Sequence, residues 1–307
     1  MGTPIRIGTR ESQLAVWQAD EVRGLLSDQG YSAELVYIKS QGDTDVSTPL
    51  YELGVQGIFT KALDLALLHD EIDMAVHSMK DVPTQLAKGV VQAAILKRAS
   101  HKDVFVPADG FYLPDHDPYS VALVATSSIR RKAQWLHRYP AHIIEPIRGN
   151  INTRLGKLAT HHWQGAIFAA AGLERINLRP PNAIDLDWML PAPAQGAIMV
   201  ACREKDEFCL NACKPFNDAH TALCTKIERD FLRTLLGGCA TPISGLATII
   251  EDVVTFSGNI LSVDGKQKQE IYKEARVSEA MELGVKAAEE ILNNGGALIL
   301  QKNLDVA

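Results

Sequence analysis

The chain of 307 residues is poor in aromatic side chains, 6% of the total, and has no apolar run long enough to span a membrane. No CxxC pair occurs, and the five cysteines all fall between Cys202 and Cys239. An odd number without a disulfide pattern is that of reduced thiols. Cys209, Cys213, His220 and Cys224 have spacings a zinc site could use, but the segment reads as helical, so no metal is expected. Neither GxGxxG nor GxxxxGK[ST] is present, which removes nucleotide phosphate as the obvious ligand. The net charge of -6 argues against a generic polyanion binder such as a nucleic-acid protein. The N-terminal MGTPIRIGTRES shows no apolar segment behind a basic one, and Arg6 stands where a myristoylation signal wants Ser or Thr, so a cytoplasmic location is expected.

What remains is an ordinary globular composition, 46% hydrophobic and 22% charged, on a chain long enough for two or three domains. Ile5 and Ile7 open a strand, and Leu14, Trp17, Val22 and Leu25 form a helical stripe. Leu35 to Ile38 reads as a strand, Phe59 to Leu67 as an amphipathic helix and Ile72 to Val76 as a buried strand. This βαβ grammar predicts a mostly parallel sheet with covering helices. A loop from Pro107 to Tyr119 precedes a second round, with strands at 121–125, 143–147 and 166–170 and a helix from Ser128. LPAPAQ at 190–195 reads as a crossing segment, and Ala197 to Ala201 as a strand that could return to either sheet. Beyond Phe216 come a long helix through Leu235, strands near Ile249, Val254, Ile260 and Ile271 with a turn at Asp264-Gly265, and a final helix from Glu279 to Leu292. That is a small α+β domain. No internal repeat is visible.

The basic residues are not scattered. Arg10, Lys80, Arg130, Arg131, Arg148, Arg154 and Arg175 all adjoin predicted strand ends or helix starts, where an α/β protein keeps its ligand. In ATSSIRRKAQ a strand ends at Thr126, Ser127 or Ser128 can cap the next helix, and Arg130 and Arg131 add guanidinium forks suited to carboxylate or phosphate. IRGNINTR at 147–154 repeats the arrangement, with Asn150 or Asn152 as the cap. The plainer reading is two ordinary caps followed by solvated arginines. Two anion-binding strand ends in one domain point to a ligand with several carboxylates. In IDMAVHSMKDVPT an apolar run stops at Lys80-Asp81, charges that face either a solvated turn or a cleft. Cys239, in LLGGCATP, stands on a glycine loop with room for a large adduct, or is a small buried hydrophobe.

IGTRES at 7–12, HSMKDVPT at 77–84, ATSSIRR at 125–131, RGN followed by TR at 148–154, LPAPAQGA at 190–197 and GGC at 237–239 closely resemble the porphobilinogen deaminase (hydroxymethylbilane synthase) family, in order over nearly the whole chain. The resemblance implies an α/β fold of two periplasmic-binding-protein-like (type II) lobes plus a C-terminal α+β domain. The domains implied are 1–98 plus 196–215, 99–195 and 216–307. It also implies a transferase of tetrapyrrole (haem) biosynthesis. Such an enzyme condenses four porphobilinogen molecules head to tail on a dipyrromethane cofactor, releases ammonia at each step and frees hydroxymethylbilane by hydrolysis. By position Cys239 carries the cofactor through a thioether, and Asp81 matches the catalytic aspartate. Lys80, Asp81, Thr126, Ser127, Ser128, Arg130, Arg131, Arg148, Gly149 and Gln195 match cofactor-binding positions. Arg10, Ser12, Arg148, Arg154 and Arg175 match substrate-binding ones. A monomer is expected, with porphobilinogen as partner and neither nucleic acid nor membrane.

The chain departs from the family pattern at Glu52, at Val55 and Gln56 between two glycines, at Gln13 and at Ala194. Two cations and two glycines are lost at these places. Two alternatives therefore stand beside a working deaminase: a binder of small anions on the same scaffold, and a family member with impaired turnover.

Overall fold

The computed structural model describes residues 3–39, 60–111, 120–235 and 241–306. Glu52, Val55, Gln56, Phe59, the end of the loop predicted at Pro107 to Tyr119, and Cys239 lie outside them. Ile5 and Ile7 enter the core from β1 (Ile5–Thr9), and Ser12 caps α1 (Gln13–Asp28) by accepting from Ala15 N at 3.3 Å. The chain continues through β2 (Ala33–Tyr37), α2 (Lys61–Leu68) and β3 (Met74–Ser78). β3 starts two residues later than expected because Asp73 is tied down first, its carboxylate accepting from the backbone and side chain of Arg6 at 2.7–3.0 Å.

β4 (Val90–Ile95) and β5 (Asp103–Pro107) follow; the sequence reading had no strand at either. The second round comprises β6 (Leu123–Ala125), α3 (Ile129–Arg138), β7 (Ile143–Glu145), α4 (Ile151–Leu158), β8 (Gly165–Ala169), α5 (Ala170–Arg175) and β9 (Ile184–Asp185). After the proline-bearing crossing come β10 (Ile198–Arg203), α6 (Glu207–Cys213) and α7 (Ala219–Thr234). The last part holds β11 (Ile243–Ile250), β12 (Val253–Leu261), β13 (Lys268–Arg276), α8 (Leu283–Ile291) and α9 (Ala297–Val306). Of the final helix expected at Glu279 to Leu292 only α8 is regular α-helix, and α9 lies beyond that span. A 3-10 turn over Val277–Glu282 precedes α8, and Gly295, in the left-handed region at φ 102°, bends the chain before α9.

The contacts divide the described residues into two compact units, one of residues up to 39, 60–99 and 195–223, the other of 100–111, 120–194, 224–235 and 241–306. The first contains a five-stranded sheet in the order β2-β1-β3-β10-β4, in which β2, β1 and β3 are parallel and β10 runs antiparallel to both neighbours. The second contains a sheet in the order β7-β6-β8-β5-β9 with the same pattern, β5 being its antiparallel member. β10 thus belongs to the first sheet. Each sheet takes its antiparallel strand from the far side of a crossing: β5 precedes its sheet's parallel strands in the chain, and β10 follows them. A three-stranded antiparallel sheet, β11-β12-β13, completes the second unit.

The buried face of α1 is Gln18, Ala19, Val22 and Leu26, one step round from the expected stripe, and it packs on Met74 and Val76 of β3. In the second unit Phe105 stacks on Trp135 of α3 with ring centroids 5.2 Å apart. The hairpin tip between β12 and β13 rests on the same helix. Gly265 has φ 73°, and a Cβ there would lie 2.6 Å from Ala133 O and 2.7 Å from His137 N, both backbone atoms of α3. Its carbonyl meets His137 Nδ1 at 2.8 Å. Any side chain at 265 both strains the turn and forces hairpin and helix apart. Gly265→Ala is expected to lower the unfolding free energy by about 2 kcal/mol or more in urea titration.

Candidate active site

In an open α/β sheet the ligand site lies beyond the carboxyl ends of the parallel strands, where the chain leaves in opposite directions on either side of one strand. In the first unit that place is between β1 and β3. Arg10 follows the end of β1, and Lys80 and Asp81 follow the end of β3 on a 3-10 turn, Met79–Asp81. Met79 N donates to Ala197 O at 3.0 Å, and Val82 N to Met79 O at 3.1 Å, so the turn is pinned at both ends. Lys80 Nζ donates to Gln195 Oε1 at 3.2 Å, and Arg98 Nε donates to the Gln195 carbonyl at 2.8 Å. Lys80, Asp81 and Gln195 are thereby brought together. The Asp81 side chain is exposed and takes no hydrogen bond from the described residues. Ser12 is spent in part on capping α1.

A cavity of about 340 Å³ in this unit lies elsewhere. Arg6, Asp73 and Asp206 line it, at the amino ends of β1 and β3, the wrong end for a ligand of this sheet.

In the second unit the equivalent place is at β6 between β7 and β8. Ser127 Oγ donates to Ile147 O at 2.7 Å and accepts from Ile147 N at 2.9 Å, lashing together the loops after β6 and β7. Ser128, not Ser127, caps α3, accepting from Arg131 N, and Thr126 Oγ1 accepts from Ser128 N at 3.2 Å. Asn150, not Asn152, caps α4. Gly149 has φ 109°, and a Cβ there would lie 2.6 Å from the Thr153 side chain; its carbonyl accepts from Arg154 Nε at 2.8 Å. Arg148 is buried beside it. Arg175 is neither at a strand end nor at a helix start, since it closes the six-residue helix α5.

Arg130 and Arg131 are not the solvated or outward forks that the sequence suggested. Both are buried, at 5% and 6% exposure, against Asp103, which is fully buried on β5. Arg131 grips Asp103 Oδ1 through Nε at 3.0 Å and Nη2 at 2.8 Å, and its Nη1 donates to Ile167 O. Arg130 Nη2 lies 2.7 Å from Asp103 Oδ2, a close ion pair without hydrogen-bond alignment, while its Nη1 donates to Leu190 O at 2.7 Å. Burial pushes the Arg130 pKa down and the Asp103 charge pulls it back. Two cations against one anion leave a surplus of one positive charge at the start of α3, where the helix amides already favour negative ligands. Asp103 is the site residue that sequence reading missed.

The family model described as porphobilinogen deaminase, dipyromethane cofactor binding domain, matches residues 5–211, and the model of the porphobilinogen deaminase C-terminal domain matches 222–293. The chain belongs to the porphobilinogen deaminase family. It is 40% identical to the porphobilinogen deaminase of Syntrophotalea carbinolica over 96% of this chain and 95% of that protein. It is also 40% identical to the chloroplastic porphobilinogen deaminase of Pisum sativum, over 95% of this chain and 82% of that one. Among solved structures, the probable amino-acid ABC transporter extracellular-binding protein ytmK of Bacillus subtilis is 10% identical, with a TM-score of 0.42 over 70% of this chain and 90% of that one. Both five-stranded sheets lie within the residues matched by the cofactor-binding-domain model, and the three-stranded sheet within those matched by the C-terminal-domain model.

The donor set suits the polycarboxylate cofactor of the family: a capped helix start with surplus positive charge, and Arg148 and Arg154 at the neighbouring loop. The four described cysteines are buried, and none is in a disulfide. Burial pushes the Cys202 thiol up to about 11 and Cys213 to about 12, so neither is a nucleophile near neutral pH.

His77 is 6% exposed, and burial, helped by the charge of Arg10, lowers its pKa to about 4. The unfolded chain takes up that proton near pH 6.5, the folded one only near 4, so the stability present above 6.5 is lost as pH falls through this window. Asp64 opposes the trend, because burial raises its pKa to about 6 and folding then binds the extra proton between about 6 and 3.8. Unfolding free energies of His77→Gln measured from pH 7 to 4 are expected to fall less than those of wild type, by about 3 kcal/mol at the acid end; parallel curves contradict the assignment.

Proposed function

We propose that the chain is a working porphobilinogen deaminase, a transferase that joins four porphobilinogen molecules head to tail with release of ammonia and frees hydroxymethylbilane by hydrolysis. The observation that carries this reading is the exposed carboxylate of Asp81, on a pinned turn at the β1/β3 switch point. A protein that merely held small anions would gain nothing from an open negative charge there. When ammonia leaves porphobilinogen, the C–N bond breaks with its electrons and a positive charge remains on the pyrrole unit. Asp81 stabilises that charge and accepts from the pyrrole N–H groups. Lys80, oriented by Gln195, and the Ser128-capped helix with Arg130, Arg131, Arg148 and Gly149 hold cofactor carboxylates, with Thr126 and Ser127 shaping the loop. Arg10, Ser12, Arg148, Arg154 and Arg175 bind the acetate and propionate of each incoming molecule. When bound through Cys239, the dipyrromethane would supply a nucleophilic pyrrole carbon for chain growth.

Three domains carry these groups: 1–98 plus 196–215, 99–195 and 216–307. Among the described residues no helix is long and apolar enough to cross a membrane. We place the enzyme in the cytoplasm as a monomer; four described cysteines outside any disulfide fit a reducing compartment.

Denaturing mass spectrometry of the purified protein is expected to show wild type heavier than its sequence by two linked pyrrole units and Cys239→Ser at its sequence mass. Asp81→Asn keeps the added mass and loses turnover by at least about a hundredfold. Near-normal turnover of Asp81→Asn contradicts the assigned role, and an unmodified wild type made where porphobilinogen is available favours the binder.

A further inference from the structure

Of the four residues that α1 buries, Gln18 alone is polar, at 2% exposure beside Ala19, Val22 and Leu26. An amide in such a place is costly unless it is paired. Its partner is Ser78: Gln18 Nε2 donates to Ser78 Oγ at 2.9 Å, and the hydroxyl lies 3.2 Å from Gln18 Oε1, able to donate in return. Apolar side chains of similar shape would fill the same space with little loss of stability, so the polar pair is notable for its direction rather than its strength.

The direction is informative. Ser78 is the last residue of β3 and immediately precedes the turn Met79–Asp81. Gln18 is in the second turn of a helix that begins at Ser12, two residues from Arg10. Six residues of helix are about 9 Å of rigid rod. One hydrogen-bonded pair therefore joins the turn that presents Asp81 to the rod whose start presents Arg10 and Ser12. Backbone bonds from Met79 N and Val82 N fix the turn to Ala197, just before β10, and to itself, but neither ties it to α1.

We propose that Gln18 and Ser78 are positioning residues that set the Asp81 carboxylate relative to the Arg10 and Ser12 end of α1. This rests on the reading of Asp81 given under Proposed function. An incoming molecule held by its carboxylates at Arg10 and Ser12 must present its reacting carbon to Asp81, and a displacement of an ångström at that point slows the chemistry without loosening the grip.

The test uses the cofactor-bearing enzyme with Gln18→Met, Ser78→Ala, the double variant, Ser78→Thr, and Asp81→Asn as reference. The two single changes are each expected to lower kcat about tenfold, with KM for porphobilinogen within about twofold and the two-pyrrole mass retained. The double variant is no slower than the worse single one, because both remove the same link. Ser78→Thr keeps the hydroxyl and stays near wild-type kcat. Unchanged kcat in Ser78→Ala, a multiplied loss of about a hundredfold in the double variant, or a lowered thermal midpoint with kcat intact overturns the positioning role. Asp81→Asn separates the two failures. If it retains turnover, the reading of Asp81 falls and this proposal with it; if it loses turnover while Ser78→Ala keeps it, only the positioning role is lost.

Discussion

The buried carboxylate of Asp103 is what the basic end of the second unit depends on. Two guanidinium groups adjacent on one helix repel each other, and neither would enter an apolar interior without an anion. Asp103 forms ion pairs with both, and each arginine spends one further donor on a backbone carbonyl, Leu190 or Ile167. The charge that remains is fixed in direction before any ligand arrives. A surface lysine could supply the same charge but not the same geometry.

The two five-stranded sheets share a strand pattern without sharing a sequence pattern. In the first, the carboxyl ends of β1 and β3 set Arg10 beside a 3-10 turn with an open carboxylate. In the second, the ends of β6 and β7 are lashed together through Ser127 and present helix starts and arginines. An open carboxylate and a surplus of buried positive charge are thereby carried on separate but equivalent scaffolds.

Much of this was legible in the sequence, for local reasons. The caps, narrowed to Ser127 or Ser128 and to Asn150 or Asn152, the turn at Asp264-Gly265 and the alternation of strand and helix depend on residues within a few positions of each other. What was not legible depends on contacts distant in sequence. Asp103 stands 27 and 28 positions before its partners, and only the antiparallel placement of β5 beside β8 brings them together. Gln18 interrupts an apolar stripe, so the period alone put the buried face of α1 one residue away. Arg175 was misplaced because α5 is a single short helix with no cap signal. Ala194, where the family prefers Gly, adopts φ 62° and has its amide bound by Glu228 at 2.6 Å. The left-handed strain of about 1–2 kcal/mol is offset by a less flexible unfolded chain and a buried methyl, which explains why alanine is tolerated there.

The most direct measurement is the urea unfolding free energy of Asp103→Asn, which keeps the shape of the side chain and removes its charge. With Asp103 as the anchor of both arginines, a loss of about 3–5 kcal/mol relative to wild type is expected, since two buried cations lose their counter-ion. A loss below about 1 kcal/mol contradicts the dependence of this unit on the Asp103 pair.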